Sequence, residues 1–492
     1  MHLVWYFLCV LGFTSKSFRV VHLDLKGAPP RLGYLRQLLP LLAAQGCDAL
    51  LIEYEDMFPY TGRLANASAL NAYTRKDVKR LLSWAHDMGM EVIPLVQTFG
   101  HLEYVLKLEE FRHYRELPSF PQEVCPSNED TMSLIEEMIE QMMSLHPDAK
   151  YLHLGCDEVF HIAACSKCTQ RHLSKIYARY VIQLAELVRK KYPGVTPIIW
   201  DDMMRQWSPQ YISSSPLTSL IEPMVWVYAE DVSKLLPHYI WHWYGKTFKK
   251  VWIAGAYKGA TLPTSVVPDI EVHFKNQISW LNYIDNTPVQ IKGFVLTGWS
   301  RYDHFAVLCE LLPVSIPSLF LGLSLISRKH KHITQTEVFN IWHSSMRCSP
   351  SLKFDLHNLK FEPRYLSSCN FPGIEIYNAI LQYLTIKSNI EALDISLTEK
   401  KGWMTKYNVD HNYTSPWRIL EDYRSLNAHQ LQQELGHFKN STELKLSKYF
   451  DQFSINEWIE QKIFPLEFKL HNLRKTMENL IRRDVWPRRP LR

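Results

Sequence analysis

The chain has 492 residues, enough for a large hydrophobic core and for a single α/β barrel of about 250 residues or more. With 46% hydrophobic and 21% charged residues, its composition is that of an ordinary globular protein and excludes a disordered or collagen-like chain. The net charge of +5 is modest and the basic residues are dispersed outside the C-terminal tail, so binding to nucleic acid has little support.

The N-terminus begins with an apolar run, LVWYFLCVLGF, followed by small and polar residues. This pattern is typical of a secretory signal whose removal leaves Phe18 as the first residue, although no Lys or Arg charges its start. We therefore predict a signal-like leader over residues 1–17, with an apolar segment packed on the fold as the alternative. The run is too short to span a bilayer comfortably, so no stable membrane span is expected.

Between residues 18 and 330, short apolar runs alternate with longer amphipathic segments, which is typical of parallel strands covered by helices. Eight runs have this character: RVVHLDL, DALLIEYE, EVIPLVQ, KYLHLGCDE, TPIIWDD, EPMVWVY, KVWIAGAY and IKGFVLTG. Eight such units in roughly 300 residues predict an α/β fold, a (β/α)8 TIM barrel, over an open doubly wound sheet. Because Pro94 would remove a ladder hydrogen bond, the third strand is predicted to be bulged or locally unpaired there.

Capping signals and apolar stripes predict helices between the strands. Thr74 is predicted to cap one helix with Asp77 three residues on, and Ser127 is predicted to open another. Four leucines mark the first helix: Leu35, Leu38, Leu39 and Leu42. After about residue 335 the pattern is helical alone. We therefore predict a catalytic barrel over residues 18–334 and a mainly helical C-terminal region over residues 335–492.

A barrel carries its chemistry at the C-terminal ends of its strands and in the loops that follow. These positions are rich in carboxylates and aromatic rings: Asp24, Lys26, Glu53, Glu55, Gln97, His101, Asp157, Glu158, Trp200, Asp201, Asp202, Trp226, Tyr228, Tyr257, Trp299 and Arg301. Carboxylates protonate a glycosidic oxygen and indole faces hold a sugar ring, so carbohydrate chemistry fits best. At any single position a helix cap, an ion pair or a core aromatic is the competing interpretation, and only the convergence favours a site.

A second group of residues offers four potential zinc ligands at short spacing: His161, Cys165, Cys168 and His172. Their internal spacing is shorter than in common zinc motifs, and neighbouring helical turns would explain it equally well. We therefore predict neither a metal site nor a cofactor. The nine cysteines are an odd number without a regular framework, so they imply no disulfide scaffold.

The segment HLGCDE, residues 153–158, resembles the His-x-Gly-x-Asp-Glu motif of glycoside hydrolase family 20, the β-N-acetylhexosaminidases. Further segments resemble the family in order along the barrel: HLDLKGAPP, LLIEYEDMFPY, EVIPLVQTFGH, TPIIWDDM and TGWSRYDHFAVLCELLP. The resemblance implies a retaining exo-β-N-acetylhexosaminidase in which the 2-acetamido oxygen of the sugar attacks its own anomeric carbon. Its partners would be glycans that end in N-acetyl-D-hexosamine, GalNAc and/or GlcNAc.

The resemblance also implies residue roles. The proton donor falls on Glu158, and the carboxylate that orients and stabilises the acetamido group falls on Asp157. Three tryptophans at matching strand ends would wall the acetamido pocket: Trp200, Trp226 and Trp299. The remaining residues predicted to bind substrate are Asp24, Lys26, Gln97, His101, Asp201, Asp202, Tyr228, Tyr257 and Arg301.

Two positions depart from the family pattern. Many members have Trp-Gly-Glu on the last strand, where this chain has Trp299, Ser300 and Arg301, and an Arg after the first strand, where Asp24 and Lys26 stand. Because a carboxylate accepts hydrogen bonds and an Arg only donates, the reading of sugar hydroxyls is expected to differ, and GalNAc and GlcNAc both stay open.

Because Arg301 stands where the family has a carboxylate, an alternative function is a glycan-binding pseudoenzyme on the same barrel. The adjacent acids Asp201 and Asp202 suggest a third possibility, a metal-dependent sugar isomerase or hydrolase. The leader favours secretion, whereas the resemblance implies cytoplasm and nucleus, so the compartment and the oligomeric state stay open.

Overall fold

The computed structural model describes residues 13–169, 172–285, 287–327, 334–349 and 363–490. Its strands are β1 (Phe13–Asp24), β2 (Ala49–Glu53), β3 (Glu91–Leu95), β4 (Arg115–Leu117), β5 (Phe120–Val124), β6 (Tyr151–His153), β7 (Thr196–Trp200), β8 (Glu222–Trp226), β9 (Val251–Lys258) and β10 (Ile291–Gly298). Eight strands close a barrel in the order β1-β10-β9-β8-β7-β6-β3-β2, and β4 and β5 form a separate antiparallel pair. The predicted (β/α)8 barrel is confirmed, and each of the eight predicted runs contains a barrel strand.

The helices that accompany the barrel are α1 (Leu32–Ala44), α2 (Arg75–Asp87), α3 (Glu103–Leu106), α4 (Thr131–Leu145), α5 (Leu173–Lys191), α6 (Pro209–Ser214), α7 (Leu217–Leu220), α8 (Tyr239–Thr247), α9 (Ile270–Ile284), α10 (Ile316–Ile326) and α11 (Gln335–Ser345). Helix α2 begins with the predicted capping box, in which the Asp77 N–H donates to the Thr74 hydroxyl over 3.1 Å. The four leucines predicted to mark the first helix are all buried in α1.

The start of helix α4 differs from the prediction. The helix begins at Thr131 instead of near Ser127. The preceding residues form turns, because the Asn128 N–H and the Thr131 hydroxyl both donate to the carbonyl of Cys125, over 3.2 and 2.8 Å. Ser127 therefore lies outside the helix, where its hydroxyl is 3.1 Å from the sulfur of Cys168.

Side chains fill the barrel interior, as they do in barrels of this size. The core cluster comprises Val20, Ala49, Leu51, Ile93, Leu95, Ile198, Trp200, Met224, Trp252, Ala254 and Val295. Pro94 produces no bulge against β2, where it faces Ile52 in unbroken register. Toward β6, Leu95 pairs with His153, so Pro94 precedes the ladder on that side.

Strand β1 begins at Phe13, so the end of the predicted leader overlaps the first barrel strand. Ser17 is buried, and its hydroxyl donates to the carbonyl of Ile291 over 2.6 Å. Residues 1–12 of the leader lie outside the described residues. Among the helices that the structure describes, none has the length and apolar character needed to cross a bilayer.

The chain divides into two compact units, Met1–Pro372 and Gly373–Arg492. The first unit includes α11 and a disulfide between Cys348 and Cys369. The second unit is helical and consists of α12 (Ile374–Ile395), α13 (Lys406–Asp410), α14 (Pro416–Ser425), α15 (Ala428–Leu446), α16 (Gln452–Lys462) and α17 (Phe464–Ile481). The division falls after Pro372, and the boundary predicted between residues 334 and 335 stays a prediction.

Candidate active site

The acidic pair follows β6 in a sharply turned segment. Gly155, Cys156 and Glu158 have positive φ angles of 65°, 69° and 48°. A Cβ atom on Gly155 would lie 1.8 Å from Oε1 of Gln97, so only glycine fits. Non-glycine residues in this left-handed region are strained and cluster at functional sites. The turn breaks the alternation of a strand, and Asp157 and Glu158 consequently line the same cavity.

This cavity, of about 240 Å³, lies at the C-terminal ends of the barrel strands. Its lining residues are Lys26, Glu53, Gln97, His101, Asp157, Glu158, Trp200, Trp226, Tyr228, Gly259, Ala260, Trp299, Arg301 and Tyr302. Ten of the fourteen residues predicted for the site are therefore brought together. The other four, Asp24, Asp201, Asp202 and Tyr257, do not line this cavity.

His101 bridges the two carboxyl groups. Its Nε2 atom lies 3.4 Å from Oδ2 of Asp157 and 3.2 Å from Oε2 of Glu158. Burial opposes the charge on the imidazole, but Asp157 and Glu158 outweigh it and raise the pKa of His101 to about 10. Burial raises the pKa of Asp157 to about 7, although His101 opposes this rise. At neutral pH His101 is therefore a cation between two acidic side chains.

Aromatic rings form the walls of the cavity. The rings of Trp200 and Trp299 have centroids 6.0 Å apart at 49°, and those of Trp226 and Tyr228 stack at 5.2 Å. The Trp299 indole N–H donates to the Tyr228 hydroxyl over 3.2 Å, which fixes both rings. Such walls suit a small apolar group carried by a polar ligand, because ring faces offer contact area without hydrogen bonds.

Asp202 supports the acidic pair from behind. It accepts hydrogen bonds from the backbone N–H of Glu158 over 2.9 Å and from the indole N–H of Trp226 over 3.2 Å. Burial raises the pKa of Asp202 to about 6. The residue was predicted to bind substrate, but its oxygens face protein donors, so it positions a cavity wall and the chain at Glu158.

Asp201 also faces protein donors instead of the cavity. It is fully buried and accepts hydrogen bonds from Nε of Arg205 over 3.1 Å and from the Tyr244 hydroxyl over 3.0 Å. The adjacent acids therefore serve as anchors, and their geometry does not favour the metal-dependent alternative.

Asp24 and Tyr257 join strand ends beneath the cavity. Asp24 accepts from the Ser300 N–H over 2.7 Å, and the Ser300 hydroxyl donates to the Asp24 carbonyl over 2.6 Å. The Tyr257 hydroxyl donates to the carbonyl of His22 over 3.2 Å. These bonds tie the first strand to the last two, which explains why residues at strand ends need not contact a ligand.

Some lining residues were not among those predicted to bind substrate. Glu53 is one of the strand-end acids. Its carboxylate accepts a hydrogen bond from Nε2 of Gln97 over 3.2 Å and lies 3.0 Å from Nε2 of His22. Burial works against its charge, but Lys26 and His22 hold the pKa of Glu53 well below its usual range. Tyr302 lies in the loop after β10, next to the predicted Arg301, and was not predicted.

The structure separates the four residues considered as zinc ligands. His161 pairs with Glu123, with 3.0 Å between Nδ1 and Oε2, and His172 lies 2.8 Å from the Ser174 hydroxyl. Cys165 and Cys168 instead meet two other residues, Cys125 and Glu116.

Residues 39–236 match the model of the glycosyl hydrolase family 20 catalytic domain. Hexosaminidase D of Homo sapiens is 35% identical over 480 residues, which cover 95% of both chains. Hexosaminidase D of Bos taurus is 42% identical over 316 residues, which cover 63% of this chain and 91% of the relative. The crystal structure of a β-N-acetylhexosaminidase from Bacteroides fragilis has a TM-score of 0.51 at 14% identity, over 67% of this chain and 70% of the other.

A closed barrel whose mouth holds an acidic pair, a bridging histidine and an indole-walled cavity is the framework of a glycoside hydrolase. The relatives make the class more specific. The chain belongs to glycosyl hydrolase family 20 and is a β-N-acetylhexosaminidase-type hydrolase, and its similarity to hexosaminidase D extends over nearly the whole chain. This result favours an enzyme over the pseudoenzyme alternative.

The fit between Gly155 and Gln97 can be tested by mutation. Gly155→Ala adds a Cβ atom that meets Gln97 in a left-handed turn, so we expect its unfolding free energy to fall by about 2 kcal/mol more than that of a control. Gly89→Ala is the matched control, because Gly89 has a φ of 72° with nothing within 4 Å of an added Cβ. Denaturant unfolding and hydrolysis of an aryl N-acetyl-β-hexosaminide measure the effects. Equal stability and activity in the two variants would contradict the assigned role of Gly155.

Proposed function

We propose that this protein is a retaining exo-β-N-acetylhexosaminidase that removes terminal N-acetyl-D-hexosamine, GalNAc and/or GlcNAc, from glycoconjugates by substrate-assisted catalysis. The adjacency of Asp157 and Glu158 in one cavity carries the proposal. An ordinary retaining enzyme places its two carboxyl groups on either side of the glycosidic bond, about 5–5.5 Å apart. Here the two carboxyl groups belong to adjacent residues and both contact Nε2 of His101, and we propose that they act on the same side of a bound sugar. A substrate that supplies its own nucleophile fits this arrangement.

Glu158 is the proposed proton donor. Its side chain is 37% exposed, whereas that of Asp157 is 10% exposed, so Glu158 is the carboxyl group nearer the solvent through which a leaving group departs. Its backbone is held by Asp202 and its carboxyl group by His101. Glu158 would protonate the glycosidic oxygen and then, as a carboxylate, accept a proton from the attacking water.

Asp157 is the proposed partner of the acetamido group. Its Oδ1 atom is buried and has no hydrogen-bond partner among the described residues. A buried acceptor of this kind is costly unless a ligand donates to it, and the acetamido N–H of the substrate is such a donor. The carboxylate would orient the acetamido oxygen toward the anomeric carbon and stabilise the positive charge that develops on the group. The indole walls would enclose its methyl group.

The proposed hydrolysis has two steps. The acetamido oxygen bonds to the anomeric carbon while the glycosidic bond breaks and Glu158 transfers its proton to the leaving oxygen. The product of this step is a cyclic oxazolinium ion. Water then attacks the anomeric carbon, gives a proton to Glu158 and releases the acetamido oxygen. Each step inverts the anomeric carbon, so the β configuration is retained.

The charged residues of the cavity are proposed to form hydrogen bonds with the sugar hydroxyls. Lys26, Glu53 and Arg301 line it, and the Arg301 guanidinium is anchored by donation to the carbonyls of Lys26 and Ala306, over 3.2 and 3.0 Å. Both donors and acceptors are present, which accommodates GalNAc as well as GlcNAc. The name of the relatives, hexosaminidase D, supports the substrate class.

The role of Glu158 can be tested with Glu158→Gln. Glutamine cannot donate the proton, so kcat/KM is expected to fall by about 10²–10⁴ on substrates with poor leaving groups and far less on a dinitrophenyl glycoside. Glu110→Gln is the control and should not change kcat/KM. Glu110 lies outside the cavity lining and accepts a hydrogen bond from the Asn66 amide. Equal losses on both classes of leaving group would exclude Glu158 as the acid.

The role of the acetamido group can be tested on the wild-type enzyme. Each fluorine placed on the acetamido methyl makes the carbonyl oxygen a weaker nucleophile, so the rate is expected to fall progressively along the series. Aryl β-glucosides that lack the acetamido group are expected to be inert. A rate that is independent of fluorination would point to a nucleophile from the protein.

The charge on His101 can be tested through the pH profile. Asp157 has a raised pKa, near 7, and its carboxylate form is needed, so kcat/KM should decline as the pH falls through that value. His101→Asn removes the cation that opposes this rise, and the acidic limb of kcat/KM is expected to move upward by about one pH unit or more. His113→Asn, outside the cavity, is the control. If the acidic limb of kcat/KM does not move in His101→Asn, the proposed effect of the His101 charge on the pKa of Asp157 is contradicted.

A further inference from the structure

A cluster of sulfur and oxygen atoms lies beside the active-site cavity without lining it. Cys165 and Cys168 belong to the loop after Glu158, Cys125 follows strand β5, and Glu116 lies in β4. The four ligand atoms all lie within 4.8 Å of one another. We propose that these residues bind a Zn²⁺ ion that ties the loop after the acidic pair to the β4–β5 hairpin.

Three of the six distances between the ligand atoms match those of an assembled tetrahedral site, and the other three are no longer than 4.8 Å. The sulfur of Cys125 lies 3.5 Å from that of Cys165 and 3.8 Å from that of Cys168, which is 3.7 Å from Oε2 of Glu116. With Zn–S bonds of about 2.3 Å, two sulfurs of a tetrahedron are about 3.8 Å apart, and a sulfur and a carboxylate oxygen about 3.5 Å. The atoms therefore need little movement to bind zinc. A disulfide, at about 2.0 Å, would leave one of the three thiols unused.

The local backbone also favours a metal. The set of four potential ligands in this loop is too closely spaced for a common zinc motif, but the Cys-x-x-Cys pair within it, Cys165 and Cys168, has a spacing that is common in structural zinc sites. The Cys168 and Thr169 N–H groups both donate to the Cys165 carbonyl, over 3.0 and 2.9 Å, which forms a tight turn. Ser127, with its hydroxyl 3.1 Å from the Cys168 sulfur, can donate to a thiolate, as residues around metal ligands commonly do.

The surroundings of Glu116 give a second indication of a cation. Its side chain is buried, and it accepts from the Cys165 N–H over 3.0 Å. In the part of the chain that the structure describes, no Lys, Arg or His nitrogen forms an ion pair with Glu116. A buried carboxylate without a cation is costly, and Zn²⁺ supplies the missing charge. The three thiols would each release a proton on binding.

The proposed ion is structural and not catalytic, because four protein ligands leave no open position for water or substrate. The ion would connect the loop after Glu158 to the β4–β5 hairpin. The same loop already contacts the hairpin, since the Phe160 and His161 N–H groups donate to Glu123 over 3.0 and 3.2 Å. Zinc would add a second link between this loop and the hairpin.

Metal analysis of the full chain tests the site directly. Protein purified without chelators from zinc-supplemented cells is expected to hold about one zinc ion per chain. The double variant Cys165→Ser/Cys168→Ser should lose at least about nine-tenths of that zinc. Cys47→Ser is the matched control and should keep it, because Cys47 is buried outside the cluster and donates to the Ala49 carbonyl. A wild type that lacks zinc and takes none up, or a double variant that retains it, would overturn the proposal.

Cobalt substitution tests the geometry in the wild type, so the test does not depend on how the variants fold. After removal of bound metal by a chelator, Co²⁺ is expected to produce thiolate-to-cobalt charge-transfer absorption and the intense visible bands of a four-coordinate ion. Weak, six-coordinate spectra would overturn the site. Peptide mapping after thiol blocking should find Cys125, Cys165 and Cys168 as free thiols, and a disulfide between Cys125 and Cys165 would also overturn it.

Discussion

The left-handed turn after β6 is the constraint on which the active site depends. Successive side chains of an extended strand point to opposite faces, so an adjacent Asp and Glu could not share a cavity if the strand continued. Gly155 permits the chain to leave the strand, and the space beside it is filled by Gln97. The Glu158 N–H then donates to Asp202. This turn thus brings two carboxyl groups into one cavity, as the proposed mechanism requires.

Electrostatics imposes the second condition on this arrangement. Two carboxyl groups so close in a buried place repel each other and resist ionisation. His101 offsets this repulsion through contacts with both, and burial still raises the pKa of Asp157 to about 7. Lys26, another buried cation of the cavity, stabilises the negative charge of Glu53 and lowers the pKa of that residue. Each acidic residue that lines the cavity is thus near a cation, and the site is polar without a large net charge.

The sequence predicted the barrel because each strand is a visible apolar run, and it predicted the acidic pair because strand ends converge in this fold. It could not separate residues that line the cavity from those that support it. Asp201 and Asp202 follow β7, the strand that ends at Trp200, and only their hydrogen-bond partners show that they are anchors. Two of these partners, Tyr244 and the backbone N–H of Glu158, lie 43 and 44 residues away in the sequence. The proposed zinc ligands could not be predicted from the sequence for the same reason. Cys125 is 40 residues from Cys165, and no local pattern connects them.

The proposed metal site bears on how a loop can carry a catalytic carboxyl group. Glu158 has a partly exposed side chain, so packing alone does not hold it. The chain between Glu158 and α5 has no helix or strand in its described residues, and such a segment loses conformational entropy when it is ordered. Fastening to the hairpin reduces the freedom of this segment in every state where the ion is bound. A closed zinc site near the barrel rim would therefore stabilise the orientation of Glu158 without taking part in the reaction.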